Sequence, residues 1–283
     1  MTSDAAQGSD QIYRMIALDV DGTIARKDYS VPPEIRNAIL EAMDAGVIVS
    51  LVTGRMRRSA LRYAELCGTN GPTVSYQGGI VTASDHQTDL HVERLDDATV
   101  QSALQVMRDW SVHINFYLDD EIWVENDTLW AHQYAQRMQI PLKRVDGLDS
   151  LAASGPTVVM AVDDPDRITE LATSLRGSLG GQAAITQSLP HFCEVASLRA
   201  TKAHGLERAA SLHGISPEEV IAIGDGEGDI PMLEWAGLGI AIAGSGPEVL
   251  SSAQTMIPGP EENGVSKLIQ TLLSQGKLGR QVR

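Results

Sequence analysis

The segment DVDGT (Asp19–Thr23) places two carboxylates two residues apart, directly after an apolar stretch that begins at Met15. A carboxylate can attack a phosphorus atom and form an acyl phosphate. A second carboxylic acid beside it can protonate the leaving oxygen and later take a proton from water. Asp19 is therefore a candidate nucleophile, and Asp21 is a candidate general acid and base.

A carboxylate that approaches a phosphate monoester is repelled by its negative charge, so such a site needs positive charge and hydrogen-bond donors. Asp225, in the segment Gly224–Asp229, can join Asp19 in holding Mg²⁺, a hard cation that prefers oxygen ligands. Lys202 supplies a fixed positive charge, and Thr53 supplies a hydroxyl donor. These residue types together predict a magnesium-dependent site for a phosphorylated ligand.

The elements that must position these residues alternate between apolar strands and amphipathic helices. We predict strands at Met15–Val20, Val47–Arg55, Pro72–Val81 and Glu219–Gly226, and helices at Pro32–Gly46, Arg58–Leu66, Lys202–Gly214, Asp229–Gly237 and Gly264–Leu273. This alternation implies a parallel sheet with right-handed crossovers. Ligands bind beyond the carboxyl ends of such strands, so the loops carrying Asp19, Thr53 and Asp225 should converge.

Residues 84–194 have a different pattern, with more polar and aromatic side chains. We predict a hairpin at Phe116–Asn126, helices at Leu129–Met138 and Asp166–Leu179, and strands at Thr157–Val162, Ala183–Ser188 and Phe192–Ala196. This segment is an α+β insert that divides an α/β domain into residues 12–83 and 195–275.

Composition limits the function classes. The 283 residues carry a formal net charge of −15, with a pI of about 4.8, which disfavours nucleic-acid partners. No apolar stretch approaches the roughly 18 residues that span a membrane. Cys67 and Cys193 are far apart in sequence, which favours a reducing, cytoplasmic location. The N-terminus lacks the features of a signal peptide, and we expect disorder in residues 1–11 and from Gln275 onward.

Taken in order, the motifs resemble those of the haloacid dehalogenase superfamily, and more narrowly its Cof-type sugar-phosphate phosphatases. The resemblance extends from about Tyr13 to Leu273 and is strongest in DVDGT and in GDGEGDIPMLEWAGLGIAI. It implies an α/β fold with a Rossmann-like core and a cap domain inserted between the TGR motif (Thr53–Arg55) and the Lys202 motif. It also implies a small phosphorylated metabolite as substrate, a sugar phosphate first, with flavin mononucleotide or pyridoxal phosphate as alternatives.

The resemblance implies a role for each motif residue. Asp19 is the nucleophile and Asp21 the general acid and base. Thr53, Gly54 and Lys202 bind the phosphoryl group. The ligands of Mg²⁺ are the Asp19 carboxylate, the Asp21 carbonyl oxygen and the Asp225 carboxylate. Asp229 supports the metal site. Substrate choice is expected to reside in the insert, within Phe116–Asn126 and Gln187–Cys193. Both a monomer and a homodimer are compatible with the sequence.

Two positions depart from the family pattern. Gly228 stands where the family usually has Asn, and Gln77-Gly78 stands where it usually has Asn-Gly. The loss of such supporting contacts typically lowers metal affinity or activity by about 10–100-fold. A non-catalytic or weakly active phospho-ligand-binding protein therefore stays open as an alternative function.

Two further classes of protein use a similar set of residues. A phospho-acceptor signalling domain also clusters Asp, Thr and Lys, but it is short, whereas about 150 residues separate Thr53 from Lys202. A phosphomutase shares the nucleophile, but its cap normally enters directly after the first motif.

Three residues also have simpler interpretations. Thr53 is a possible helix cap, Asp229 a helix N-terminal acid, and Arg55 a structural ion-pair partner.

Overall fold

The computed structural model describes residues 11–138 and 140–279, so most of the expected N-terminal tail lies outside it. The strands are β1 Met15–Leu18, β2 Ile48–Leu51, β3 Thr73–Ser75, β4 Ile80–Thr82, β5 Asp89–Val92, β6 His113–Leu118, β7 Glu121–Val124, β8 Leu142–Arg144, β9 Val158–Val162, β10 Ala184–Leu189, β11 Phe192–Ala196, β12 Val220–Gly224, β13 Leu238–Ile242 and β14 Thr255–Ile257. The helices are α1 Pro33–Asp44, α2 Arg57–Cys67, α3 Asp97–Asp109, α4 Leu129–Met138, α5 Asp149–Ala152, α6 Pro165–Leu179, α7 Lys202–Ser211, α8 Ile230–Trp235, α9 Pro247–Ser252 and α10 Gly264–Ser274.

The chain divides into two compact units. The core unit combines the described residues up to His91 with those from Thr201 onward, and the insert unit spans Val92–Ala200. The expected insert, residues 84–194, begins earlier than the observed unit because β4 and β5 extend a sheet that starts at β3 in the core unit. Among the described helices, none has the length and apolar character needed to cross a membrane.

The core unit is built on a parallel sheet with the strand order β14-β13-β12-β1-β2. Side chains of β1 alternate between its two faces. Ile16 and Leu18 pack into one apolar cluster with residues of α1 and α10, whereas Met15 and Ala17 pack into a second cluster with residues of α7 and α8. Helices therefore bury both faces, as a parallel sheet requires. The predicted α/β core is confirmed.

The prediction of one strand over Pro72–Val81 is wrong. The strand β3 ends at Ser75, a 3₁₀ turn covers Tyr76–Gly78, and β4 returns antiparallel to β3. Tyr76 and Gln77 have φ values of 51° and 56°, and Gly78 has a φ of 103°. Three consecutive left-handed residues reverse the chain, so β3 and β4 join β5 in a separate sheet.

The expected disorder from Gln275 is also wrong for the described residues. Leu278 is buried in the core cluster below the sheet. The Tyr13 N–H donates to the Lys277 carbonyl oxygen over 2.8 Å, and the Gly279 N–H donates to the Tyr13 carbonyl oxygen over 3.2 Å. One apolar side chain and a short parallel bridge thus hold this segment, and residues 280–283 lie outside the described part. Gln11 likewise bonds through its side chain to the Glu218 carbonyl oxygen.

The insert unit is a six-stranded sheet with the order β10-β11-β9-β6-β7-β8, and its pairs are antiparallel except for β7 with β8. The predicted hairpin is formed by β6 and β7, and the predicted helices α4 and α6 are present. Helix α3 was not predicted. It packs with α6 over one face of the sheet, around the fully buried Phe116.

Candidate active site

The loop that follows β1 is fastened to the loop that follows β12. Asp19 is 5% exposed, and its backbone N–H donates to the Ile223 carbonyl oxygen over 3.0 Å. The Thr23 hydroxyl donates to Oδ1 of Asp225 over 3.0 Å. Gly22 has a φ of +80°, and a Cβ at this position would overlap the Asp225 carboxylate. Only glycine lets the two loops approach this closely.

Lys202 is the first residue of α7 and lies between two carboxylates. Thr201 caps the helix, its hydroxyl accepting the His204 N–H over 3.3 Å. The Lys202 ammonium, with its residue 5% exposed, donates to Oδ1 of Asp19 over 2.6 Å and to Oδ1 of Asp229 over 2.5 Å. Burial alone would lower the pKa of Lys202, but the charges of Asp19 and Asp229 raise it above its ordinary value. The lysine is therefore a permanent cation in the site.

Asp229 connects this lysine to the loop after β12. Its Oδ2 accepts the backbone N–H of Asp225 over 3.0 Å and that of Gly226 over 2.9 Å, while its Oδ1 faces Lys202. The residue is 2% exposed and directly precedes α8. Asp229 is interpreted from the sequence both as a helix N-terminal acid and as a support of the metal site. Its Oδ2 binds backbone N–H groups ahead of the helix, and its Oδ1 binds Lys202, so one carboxylate makes both kinds of contact.

Asp19, Asp225 and Asp229 form an acidic cluster in which one carboxylate oxygen from each residue lies within 4.8 Å of the other two. Burial raises the pKa of Asp19 well above its ordinary value, the Lys202 ammonium opposes that rise, and the other two carboxylates add to it. Burial, followed by the charge of Asp229, raises the pKa of Asp225 to about 6. Three carboxylates around one ammonium leave net negative charge, which fits a hard cation with oxygen ligands. Because both oxygens of Asp229 are engaged, Asp19 and Asp225 are the better candidates for metal ligands.

Asp21 follows Asp19 by two residues in the same loop and is held by Arg55. The guanidinium donates from Nε to Oδ2 over 2.7 Å and from Nη2 to Oδ1 over 2.5 Å, which is a bidentate pair. Arg55 itself lies over the rings of Tyr29 and Tyr63, at 5.3 and 4.7 Å from their centroids. The Asp21 side chain is 50% exposed, in contrast to Asp19. Arg55 is thus the ion-pair partner of Asp21, the candidate general acid.

Thr53 and Gly54 lie in the loop that follows β2. Thr53 is buried, and its backbone N–H donates to the Val74 carbonyl oxygen over 2.9 Å. The Thr53 hydroxyl oxygen accepts the Arg55 N–H over 3.2 Å, in the turn before α2. This contact lies within the turn and does not cap α2, whose N-cap is Met56 and has no side-chain cap, so the capping interpretation is wrong. The contact uses only a lone pair of the hydroxyl oxygen, so the hydroxyl proton is available to a further acceptor. The loop reaches the acidic cluster through Gln77, whose amide lies against both Gly54 and Gly228.

Comparison with known proteins identifies the fold and the family. A family model described as haloacid dehalogenase-like hydrolase matches residues 16–269. The chain belongs to this family. The resemblance inferred from DVDGT and GDGEGD is confirmed, and the chain is a hydrolase of this family.

This hydrolase is 28% identical over 274 residues to the putative phosphatase YxeH of Bacillus subtilis, a match that covers 93% of the chain and 99% of the relative. It is 24% identical over 286 residues to the 5-amino-6-(5-phospho-D-ribitylamino)uracil phosphatase YwtE of the same species, covering 92% and 98%. The crystal structure of a haloacid dehalogenase-like hydrolase from Bacteroides thetaiotaomicron superposes with a TM-score of 0.83 at 24% identity, covering 92% and 99%. The predicted fold class is confirmed.

Several contacts of the hydrolase are not evident from its sequence. Thr23 is part of the DVDGT motif, and its hydroxyl binds Asp225. Gly78 belongs to the Gln77-Gly78 dipeptide, and a Cβ at this position would overlap the Thr201 carbonyl oxygen beside Lys202. Gln77 departs from the family pattern. Its side chain lies between Gly54 and Gly228, which a one-dimensional pattern does not reveal.

Proposed function

We propose that the hydrolase is a magnesium-dependent phosphatase that acts on a small phosphorylated metabolite through a phospho-aspartate on Asp19. One observation carries the proposal: the Lys202 ammonium is buried between the Asp19 and Asp229 carboxylates. A buried lysine that touches the candidate nucleophile favours its ionised form and also offsets the charge of an incoming phosphate. The family and the relatives named as phosphatases support the same chemistry.

Asp19 has the position and the environment of a nucleophile. It lies at the carboxyl end of the second strand from the sheet edge, is almost fully buried, and has one oxygen fixed by Lys202. Attack of the other oxygen on phosphorus forms the acyl phosphate and releases the alcohol. Water then attacks the same phosphorus atom, which releases inorganic phosphate and restores the carboxylate.

Magnesium is the proposed cofactor, held by the carboxylates of Asp19 and Asp225 and by the Asp21 carbonyl oxygen. When bound, it would offset the negative charge on the phosphoryl oxygens. The chain's own residues prepare this site: the hydroxyl of Thr23 fixes one oxygen of Asp225, and Gly22 allows the loops to meet. Asp225 is thereby oriented before any cation binds.

Asp21 is the proposed general acid and base. Its bidentate pair with Arg55 orients the carboxylate, and its 50% exposure lets it meet a leaving group that arrives from solvent. Thr53, Gly54 and Lys202 are the proposed phosphoryl-binding residues. The Thr53 hydroxyl keeps its proton for this purpose, because its contact with Arg55 uses only an acceptor lone pair.

The insert unit is the proposed source of substrate selectivity, since Asp19, Thr53, Lys202 and Asp225 all belong to the core unit. Phe116 is fully buried within the insert unit, so exposed positions of the segments Phe116–Asn126 and Gln187–Cys193 are the ones to vary. Such changes should lower kcat/KM for a preferred metabolite and spare a small generic ester. A parallel loss for both substrates at every position would leave the insert with a structural role only.

The experiment is a phosphate-release screen over a panel of sugar phosphates, flavin mononucleotide and pyridoxal phosphate, with Mg²⁺ or with chelator. Asp19→Asn is the test variant, and Asp44→Asn, which changes an exposed carboxylate on α1, is its matched control. We expect release that needs Mg²⁺, survives Asp44→Asn and is lost in folded Asp19→Asn. Unchanged release in chelator or in Asp19→Asn contradicts the proposal. Transfer of the phosphoryl group without release indicates a mutase, and tight binding without turnover indicates a binding protein.

A further inference from the structure

The turn Tyr76–Gly78 is held against the candidate active site from two sides. The Gln77 N–H donates to the Thr53 carbonyl oxygen over 3.1 Å, and the Tyr76 N–H donates to the Arg55 carbonyl oxygen over 2.9 Å. On the other side, Gly78 touches the Thr201 carbonyl directly before Lys202. Tyr76 and Gln77 both have left-handed φ values, which disfavour residues other than glycine. Such strain persists where the surroundings fix it, and it concentrates at functional sites.

The side chain of Gln77 lies between two glycines of the site. A Cβ at Gly54 would lie 2.5 Å from Nε2 of Gln77. A Cβ at Gly228 would lie 3.1 Å from Oε1 and 3.5 Å from Nε2 of the same amide. Oε1 is buried and has no hydrogen-bond partner among the described residues. The amide therefore occupies the junction between the Thr53 loop and the Asp225–Asp229 loop.

Side chains at both glycine positions would crowd the amide in this arrangement. Any side chain at position 54 would displace the amide, and an asparagine at 228 would compete with it for space. The family pattern has a short Asn at position 77 and a second Asn at position 228. In this chain the side chain at 77 is longer by one methylene group, and the side chain at 228 is absent.

We propose that Gln77 is a substrate-contacting residue whose carboxamide takes the place of the side chain absent from Gly228, so that the two positions act as a pair. The proposal rests on the phosphatase function proposed above. The dianion of a phosphate monoester offers only hydrogen-bond acceptors, so the amide meets it with its NH₂ group, the end that lies beside Gly54. Gly54 and Thr53 are the proposed phosphoryl-binding residues, and Gln77 completes their group of donors.

The test measures binding of inorganic phosphate by calorimetry in the presence of Mg²⁺, together with turnover of a metabolite found in the screen. Gln77→Leu removes the donor at similar volume, and Gln77→Glu keeps the shape and replaces the donor by an anionic acceptor. Each should weaken phosphate binding by about 10–100-fold, the loss expected for a hydrogen bond to a charged group. Gln270→Leu, an exposed change on α10 of the core unit, is the control and should leave binding unchanged.

A double-mutant cycle tests the pairing. Gln77→Asn alone leaves the amide short of the site, and Gly228→Asn alone displaces it, so each should weaken binding. The double variant Gln77→Asn/Gly228→Asn restores the family arrangement and should bind within a few-fold of the original chain. The strong non-additivity is the signature of a shared site.

Several outcomes overturn the inference. Phosphate affinity that is unchanged in Gln77→Glu and Gln77→Leu would leave Gln77 as a space-filling residue. If the double variant loses as much phosphate affinity as the two single variants added together, the two positions do not act as a pair. If the original chain binds no phosphate, the proposed contact between Gln77 and phosphate is refuted. Phosphate binding that depends on Gln77 in a chain that hydrolyses no ester would instead refute the proposed hydrolysis while supporting this inference.

Discussion

Replacement of Lys202 by methionine tests whether the buried ion group holds the core unit together. Methionine keeps the length of the side chain and removes two hydrogen bonds, of 2.6 Å to Asp19 and 2.5 Å to Asp229. Both carboxylates then stay buried without a cation. Removing one partner of a buried ion pair typically lowers the free energy of unfolding by about 3–5 kcal/mol, and we expect that loss in metal-free protein at pH 8.

The loss should depend on pH in a defined direction. Burial raises the pKa of Asp19 in the folded chain, and Lys202 opposes the rise, so its removal raises that pKa further. A carboxyl whose folded pKa exceeds its unfolded value favours the folded state more as pH falls. The deficit of Lys202→Met should therefore shrink between pH 8 and pH 5. Mg²⁺ should reduce it as well, because a cation that binds only the folded state stabilises that state.

The assay is a urea titration, combined with hydrogen exchange of peptides from β1 and β12. Tryptophan fluorescence would mix the two units, since Trp110, Trp123 and Trp130 belong to the insert unit and Trp235 belongs to the core unit. The matched control is Lys143→Met, because the Lys143 side chain is 49% exposed and its ammonium lies 3.8 Å from Glu121. That change should alter stability by no more than about 0.5 kcal/mol. Equal stability of Lys202→Met and the original chain at pH 8, or a deficit that is the same at pH 5, would refute the reasoning.

Three further predictions follow from the same contacts. Asp225→Asn should raise the Mg²⁺ concentration that gives half-maximal phosphate release, and an unchanged requirement would exclude Asp225 as a ligand. The Mg²⁺ requirement of the original chain should also rise as pH falls below about 6, since burial raises the pKa of Asp225 to about 6 and a proton then competes with the metal. A Mg²⁺ affinity that calorimetry finds unchanged from pH 8 to pH 5 would contradict this. Gly78→Ala should destabilise the core unit, because Cβ would overlap the Thr201 carbonyl oxygen at a left-handed φ, whereas Gly214→Ala, with open space around it, should have a smaller effect on the melting temperature.

The sequence predicted the sheet that positions the site because its strands are short apolar runs that end in polar turns. Asp19 and Asp225 follow two such runs, and the strands β1 and β12 are direct neighbours in the sheet. Lys202 could be placed only by its order among the motifs, as the first residue of a helix. The order of the motifs does not show that Lys202 binds Asp19 and Asp229 at the same time, and only the structure shows this.

Other features depend on contacts between distant residues and could not be predicted. The turn places two residues other than glycine, Tyr76 and Gln77, in left-handed backbone ahead of Gly78, so an apolar stretch looked like one continuous strand. The C-terminal segment is polar, and the burial of the single residue Leu278 was not evident in its pattern. The position of the Gln77 amide against Gly228 requires the approach of two loops that are far apart in sequence.

The most direct test of the central claim is detection of the phosphoryl group on Asp19. Asp21→Asn should slow hydrolysis of the acyl phosphate more than its formation from an ester with a good leaving group, because only water attack then needs the missing base. After mixing this variant with p-nitrophenyl phosphate and Mg²⁺ and quenching in acid, mass spectrometry should find one phosphoryl group, on the peptide containing Asp19, and hydroxylamine should remove it. Phosphate release by the original chain, with no phosphoryl group on Asp19 in the variant at any time, would contradict the account.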